Sequence, residues 1–304
     1  MKVDKAIKAT FNTNLIILNG FLVALLVGTI LLMLPVSSAS GNGTDFITAL
    51  FTATTSLCVT GLVVVPTYAY WSIFGKVIIL ILIQLGGLGI ISFTIGFLII
   101  IGKKISLKER KMIQESYNLD SAQGVLKILR KIFGITLKIE GIGAILYSIQ
   151  FIPEYGIVKG ICYSVFHSVS AFCNAGIDII GNDSLVKYHG NVLVNFTTVM
   201  LIICGGIGFI VWLDIGGIIS EIRNKKLSPN KFIERMKLHT KLVLITTAIL
   251  VGGGFLFILL FEYNNPDTLG NMTFGNKCLA ALFEAVTLRT ADDCCDANEI
   301  TACC

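Results

Sequence analysis

The sequence predicts an all-α polytopic membrane protein built from repeated helix–re-entrant pore helix–helix units, about two and a half of them. Three observations carry this. The chain is 54% hydrophobic and only 14% charged, where a soluble domain carries roughly 25% charged residues. Several apolar stretches reach the ~20 residues needed to cross a bilayer. One segment also recurs: residues 49–62 read ALFTATTSLCVTGL and residues 164–177 read SVFHSVSAFCNAGI. Both place a Phe ten residues before a Gly and a Cys three before it, Phe51/Cys58/Gly61 and Phe166/Cys173/Gly176. A third copy starts at ALFEAVTLRTA, residues 281–291, and meets Asp292 where the Gly belongs.

The elements follow in order. Asn14–Leu34 reads as a spanning helix stopped by Pro35. After the polar turn SSASGNGTD, Phe46–Leu57 is helical in pattern but too short to span. Ser72–Ile101 is a second long helix and Gln123–Phe151 a third, basic at its start and apolar later. Ile161–Phe172 is again short. Asn191–Ile219 and Leu238–Phe261 are the fourth and fifth long helices, and Lys277–Leu288 is the third short one. This order divides the chain into a first repeat over 1–122, a second over 123–237, a partial third over 238–291 and an unrelated Cys-rich tail over 292–304.

Loop charge sets the orientation. Nine Lys/Arg and three acids lie between Gly102 and Lys138, and seven Lys/Arg and two acids between Glu221 and Lys241. Pro35–Gly75 holds no Lys or Arg, and Phe151–Gly190 only two. The positive-inside rule then places the basic loops and the amino terminus in the cytoplasm of a multi-pass cell-membrane protein. All three short helices are entered from outside and return there, which makes them re-entrant. The net charge of +5 sits in short loops beside apolar helices and implies lipid, not nucleic acid, as the neighbour. The start MKVDKAIKAT is basic, but the apolar run behind it is long enough to span rather than to be cleaved. No HExxH, GxSxG, Walker A or GxGxxG context is present, so no enzymatic constellation is expected.

The helices after the first two short segments share a second motif, QLGGLGII at 84–91 and CGGIGFI at 204–210. Gly86, Gly87 and Gly89 match Gly205, Gly206 and Gly208. Small residues pack helices in lipid generally, but recurrence in both units points to close approach of this helix to a pore helix. Irregular backbone survives at membrane depth only when buried in protein or lining a water-filled path. A short helix turns its carboxyl end, partly negative, towards a cation. The loop beyond offers carbonyl oxygens in place of an ion's hydration shell. Gly61 and Gly176 supply backbone dihedrals that a Cβ disfavours. Carbonyl ligands of this kind suit potassium or sodium and require no cofactor.

The motifs TSLCVTGLVV, AFCNAGID and VTLRTA, with the two GGxG helices, resemble the Trk/Ktr/HKT superfamily of potassium transporters. They look like the bacterial KtrB-type membrane subunits, over a stretch from about residue 10 to Ala291. The resemblance implies a potassium-channel-like fold of four repeats, each giving one filter loop around a single pore. It makes Gly61 and Gly176 filter glycines, with Val59, Thr60, Asn174 and Ala175 as neighbouring carbonyl donors of the ion site and Cys58 and Cys173 at the loop bases. Thr290 and Ala291 match the start of the third loop, with Arg289 bracing it or tuning the vestibule. It further implies potassium uptake, often sodium-dependent, by a homodimer gated by a cytoplasmic nucleotide-binding regulatory subunit of the KtrA/TrkA kind. The basic loops face the side that such a subunit needs; they serve equally as topology determinants near anionic lipid.

The family's third loop should read TAGF, whereas this chain reads TADD followed by CCDANEITACC. The change at Asp292 reads as a shifted or truncated frame. The CC…CC pattern lacks the CxxC spacing of zinc sites, so no metal beyond potassium or sodium is expected. The other five Cys read as small packing residues. Asp178 either draws cations to the outer vestibule or is a solvated loop acid. Asp214, inside an apolar helix, needs a partner, in a structural contact or a gating role. His167 reads as a packing or hydrogen-bonding residue. Two and a half filter segments do not close a four-fold ring, so the chain expressed alone in a host lacking potassium uptake is expected to give no rescue, the alternative role being a non-conducting subunit that assembles with partners; growth at low potassium would refute this.

Overall fold

The computed structural model describes residues 2–89, 125–181, 185–224, 228–266, 268–270 and 272–288. Among them the regular elements are helices, with one isolated β-bridge between Ser38 and Trp71. The chain divides into two compact units. One comprises residues 1–59, 63–65 and 69–133, the other 60–62, 66–68 and 134–304. The arrangement and sequence pattern are those of a polytopic membrane protein.

The first unit holds α1 (Lys2–Met33), α2 (Phe46–Cys58) and α4 (Ile73–Leu88); α3 (Thr67–Tyr70), a single turn before α4, has its first two residues in the second unit. Pro35 opens a 3-10 turn, Pro35–Ser37, that ends α1. Asp45 starts α2 by accepting from the Ile47 N–H at 3.1 Å, and Ser72 starts α4 by accepting from the Gly75 N–H at 3.2 Å. Both satisfy donors that a helix start leaves open. The loop ends are sewn together by backbone bonds from Ala39 to Tyr70 and from Ser72 to Ser37, and by the Ser72 hydroxyl donating to the Val36 carbonyl at 2.6 Å.

The second unit takes most of α5 (Val125–Tyr155), then α6 (Ile157–Cys173), α7 (Val192–Gly206), α8 (Phe209–Arg223), α9 (Phe232–Arg235), α10 (Leu238–Glu262) and α11 (Phe274–Thr287). Asn191 caps α7 through the Val194 N–H, standing where Ser72 stands in α4. Tyr147 on α5 hydrogen-bonds Thr198 on α7 at 2.7 Å. Near the loop end, Glu154 binds Lys187 and Tyr188, and the carboxylate holds the Lys187 ammonium above its ordinary range. Gly254 of α10 meets the Ala285 Cβ of α11 at what would be 3.2 Å from a Cβ. Lys277 ties α11 back by donating to the Tyr263 carbonyl at 2.6 Å while lying over that ring.

Two contacts occur in each unit at matching places. A Cβ on Gly28 would lie 2.9 Å from Leu82, and one on Gly143 would lie 2.7 Å from Leu201. Gly28 precedes Gly61 by the same interval as Gly143 precedes Gly176, and Leu82 and Leu201 stand four residues before Gly86 and Gly205. A Cβ on Gly86 would lie 2.1 Å from the Leu57 carbonyl oxygen, and one on Gly205 would lie 1.8 Å from that of Phe172. The ends of α2 and α6 therefore each rest on a backbone without a side chain.

Four long helices differ from the sequence expectation, the first in that α1 begins at Lys2 rather than at the expected Asn14. The expected continuous helix over Asn191–Ile219 is two helices, α7 and α8, bent by 96°. The break is at Gly208, whose φ of 84° no regular helix contains. The indole N–H of Trp212 donates to the Cys204 carbonyl at 2.8 Å, satisfying an acceptor near the break. The expected helix Ser72–Ile101 ends at Leu88, where Gly89 takes φ 79°; the rest of that stretch lies outside the described residues. The helix expected over Gln123–Phe151 continues to Tyr155 and includes Pro153. The segments 127–155 and 238–262 are long and apolar enough to cross a membrane, and α7 with α8 make a third if the bent pair counts as one span. Their outward faces, such as Ile249, Leu260 and Phe261 on α10, are exposed apolar surface suited to lipid.

Gly205→Ala is expected to destabilise the folded protein by about 3 kcal/mol, because backbone rather than a flexible side chain must move. Gly216→Ala, with open space around it, should leave the thermal midpoint in detergent unchanged or raised. Equal midpoints for the two variants would contradict the contact.

Candidate functional site

The loops after α2 and α6 share one backbone pattern. Val59 has φ 58° and ψ 48°, and Asn174 has φ 59° and ψ 43°, both left-handed. Thr60 and Ala175 have negative φ, and Gly61 and Gly176 return to positive φ at 83° and 62°. The handedness therefore reads positive, negative, positive in each. Val59 is a β-branched residue in a region such residues avoid, at a cost of order 1–3 kcal/mol. Asn174 is better suited, since its amide bonds locally; with Nδ2 turned inward it donates to the Ile202 and Ala171 carbonyls at 3.2 Å.

The two helix ends are closed differently. Val59 N–H reaches the Thr55 carbonyl, a single-bond left-handed cap. In α6, Ala175 N–H reaches Ser170 at 2.8 Å and Asn174 N–H reaches Ala171 at 3.2 Å, the paired bonds of a Schellman motif. The Ser170 hydroxyl then donates to the Ile177 carbonyl at 2.7 Å, fixing the loop beyond Gly176. Gly61 and Ala175 are buried, Val59, Asn174 and Gly176 half-buried, and Thr60 exposed. Cys173 is buried, but Cys58 and Cys162 are exposed. The packing reading is corrected for those two, because Cys58 and Cys162 lie on outward helix faces.

The GGxG glycines divide their labour. Gly86 and Gly205 admit the carbonyl ends of α2 and α6, and Gly89 and Gly208 carry the positive φ that ends α4 and separates α7 from α8. Gly87 is half-buried and Gly206 exposed. The third short helix, α11, closes on Leu288 in right-handed conformation. Arg289, Thr290, Ala291 and the tail from Asp292 lie outside the described residues.

Asp214 has partners. Its Oδ2 accepts from the Lys237 N–H at 3.0 Å and from the Thr240 hydroxyl at 2.7 Å, joining α8 to the first turn of α10. Asp178 follows the second loop, and its Oδ1 accepts from the Ile180 N–H at 3.1 Å. It lines a cavity of about 20 Å³ together with His167, Ser170, Gly176, Tyr147 and Thr198. Sequence reasoning passed over Ser170, Trp212, Thr240 and the Gly28–Leu82 and Gly143–Leu201 pairs. The signal for the last two was available as small and bulky residues at matching places in both copies. Among the described residues no cluster of His, Cys, Asp and Glu is arranged to hold a metal.

Residues 2–292 match the TrkH family, described as a cation transport protein. The chain is 42% identical to the potassium/sodium uptake protein NtpJ of Enterococcus hirae, covering 95% of this chain and 61% of that one. It is 39% identical to the Ktr system potassium uptake protein B of Bacillus subtilis, covering 96% and 62%. To the protein of the same name in Vibrio alginolyticus it is 38% identical, covering 91% and 58%. The chain thus spans about three fifths of the length of these relatives.

Asp214→Ala is expected to cost about 2 kcal/mol of stability and Thr240→Val about 1 kcal/mol, as lost hydrogen bonds to a carboxylate. The double variant should cost less than their sum. Additive losses in denaturant unfolding would show that the two side chains do not share a bond.

Proposed function

This chain belongs to the TrkH family of cation transport proteins, which are transporters rather than enzymes, and on that footing we propose that it forms part of a potassium uptake pathway. The observation that carries the proposal is the positive–negative–positive run at Val59–Gly61 and at Asn174–Gly176. Such irregular backbone beyond a short helix offers carbonyl oxygens that can replace a cation's hydration shell. In this reading α2, α6 and α11 are re-entrant helices that enter from outside, and their loops are the selectivity filter. Val59, Thr60, Gly61, Asn174, Ala175 and Gly176 contribute carbonyls, joined by Thr290 and Ala291. Matching glycine contacts in the two units support a repeated architecture. Potassium is favoured because the Bacillus subtilis and Vibrio alginolyticus relatives are named for potassium uptake and the Enterococcus hirae one for potassium/sodium uptake. Sodium coupling, a homodimeric membrane part and a cytoplasmic nucleotide-binding regulatory subunit are the further parts of the proposal. They rest on likeness to Ktr system proteins. The cell membrane is the proposed site, with the amino terminus in the cytoplasm, on the charge of the loops.

A chimera in which residues 1–291 replace the matching part of the Bacillus subtilis relative tests this. It should restore growth of an uptake-deficient host at low potassium. Gly176→Ser in the chimera should lower potassium-over-sodium discrimination at least tenfold, a loss of about 1.4 kcal/mol. Absent rescue with normal membrane insertion, or unchanged discrimination, would overturn the reading. With the native cysteines replaced by serine, Thr60→Cys should react with an impermeant thiol reagent from outside only; reaction from inside would reverse the topology.

A further inference from the structure

Behind the second loop, the small cavity faces an acceptor that lacks a donor. His167 on α6 is 4% exposed, and its Nε2 has no hydrogen-bond partner. Its Nδ1 lies 3.0 Å from the Tyr163 carbonyl. A carbonyl only accepts, so Nδ1 carries the ring hydrogen and Nε2 of the neutral imidazole is a bare acceptor. The hydroxyl hydrogens of the cavity wall point elsewhere. That of Ser170 goes to the Ile177 carbonyl and that of Thr198 to the Val194 carbonyl. The Tyr147 hydroxyl therefore donates to Thr198 Oγ1. The Asp178 carboxylate, which lines the same cavity, is also an acceptor. Any occupant must donate to both.

We propose that this cavity is a binding site for one structural water, which donates to His167 Nε2 and to the Asp178 carboxylate and so positions the residues after Gly176. The volume of about 20 Å³ exceeds the roughly 10–15 Å³ that a buried water needs. The Ser170 oxygen, having given its hydrogen to Ile177, remains an acceptor on the wall. Water has two hydrogens and requires no charge compensation. His167 acts as a positioning residue: through the water it holds Asp178, whose Oδ1 in turn holds the Ile180 N–H. The water site is independent of the proposed transport activity; only its placement beside a filter loop rests on that reading.

The test uses the full chain in lipid nanodiscs, with 15N-labelled histidine and solid-state NMR. The His167 signal is identified by its loss in His167→Gln. The expected result is a neutral ring protonated at Nδ1 with a water-to-Nε2 cross-peak. An Nε2-protonated ring, or no cross-peak, overturns the site. A signal that moves on exchanging sodium for potassium or lithium identifies a bound cation and also overturns it. Hydrogen exchange of the Ile180 amide tests the positioning role. His167→Phe should speed that exchange about tenfold while leaving α7 amides unchanged, and His167→Gln, which keeps an acceptor, should restore the slow rate. Equal rates in all three proteins, or faster exchange throughout α7, would refute positioning through water. None of these readouts depends on ion flux, so failure of the water site and failure of the transport reading are separable.

Discussion

The contact on which the rest depends is a carbonyl oxygen resting on a glycine. At the ends of α2 and α6, Leu57 and Phe172 press their carbonyls against Gly86 and Gly205, where any Cβ would lie about 2 Å away. A helix end leaves four carbonyls without intrahelical donors. Holding that end tightly against a neighbouring helix fixes where the following loop begins. The left-handed residues Val59 and Asn174 then turn the chain within one residue. In the proposed pore this contact sets the depth of each filter loop, because nothing softer than backbone lies between the loop's base and its supporting helix.

The same supporting helix is interrupted just beyond the contact. Gly89 and Gly208 take positive φ three residues after the glycine that admits the carbonyl. The first glycine serves packing and the last serves conformation, so one short motif performs two physical tasks. The second break is held by side chains: Trp212 satisfies the Cys204 carbonyl, and Asp214 binds the start of α10. A carboxylate in an apolar helix is costly unless it is bonded. Asp214 is bonded twice, which assigns it a structural contact and makes the bent pair a defined corner rather than a loose joint.

Much of this was legible beforehand because it depends on local pattern. The short helix expected over Phe46–Leu57 is α2 almost to the residue, since Asp45 caps it and the residues after it include Gly61. The need for unusual dihedrals at Gly61 and Gly176 followed from residue type and recurrence. The corner at Gly208 was not legible, because apolar residues continue on both sides of it and hydropathy does not register a reversed φ. Val59 in left-handed conformation was likewise hidden: a β-branched residue is a poor candidate there, and only its place between the end of α2 and Gly86 imposes it.

The sequence by itself determined the membrane class, the short helix Phe46–Leu57 and most of the other helical segments, and the family, because these follow from composition, periodicity and motif identity. Through repetition it also picked out glycines that take positive φ or admit a carbonyl. What only the tertiary structure decided is how those residues act. Gly86 and Gly205 turned out to receive carbonyls, Asp214 to bind α10, and His167 to face a small cavity with an unused acceptor. Each of these depends on which backbone or side-chain atom stands opposite, and that is a property of packing across elements distant in the chain.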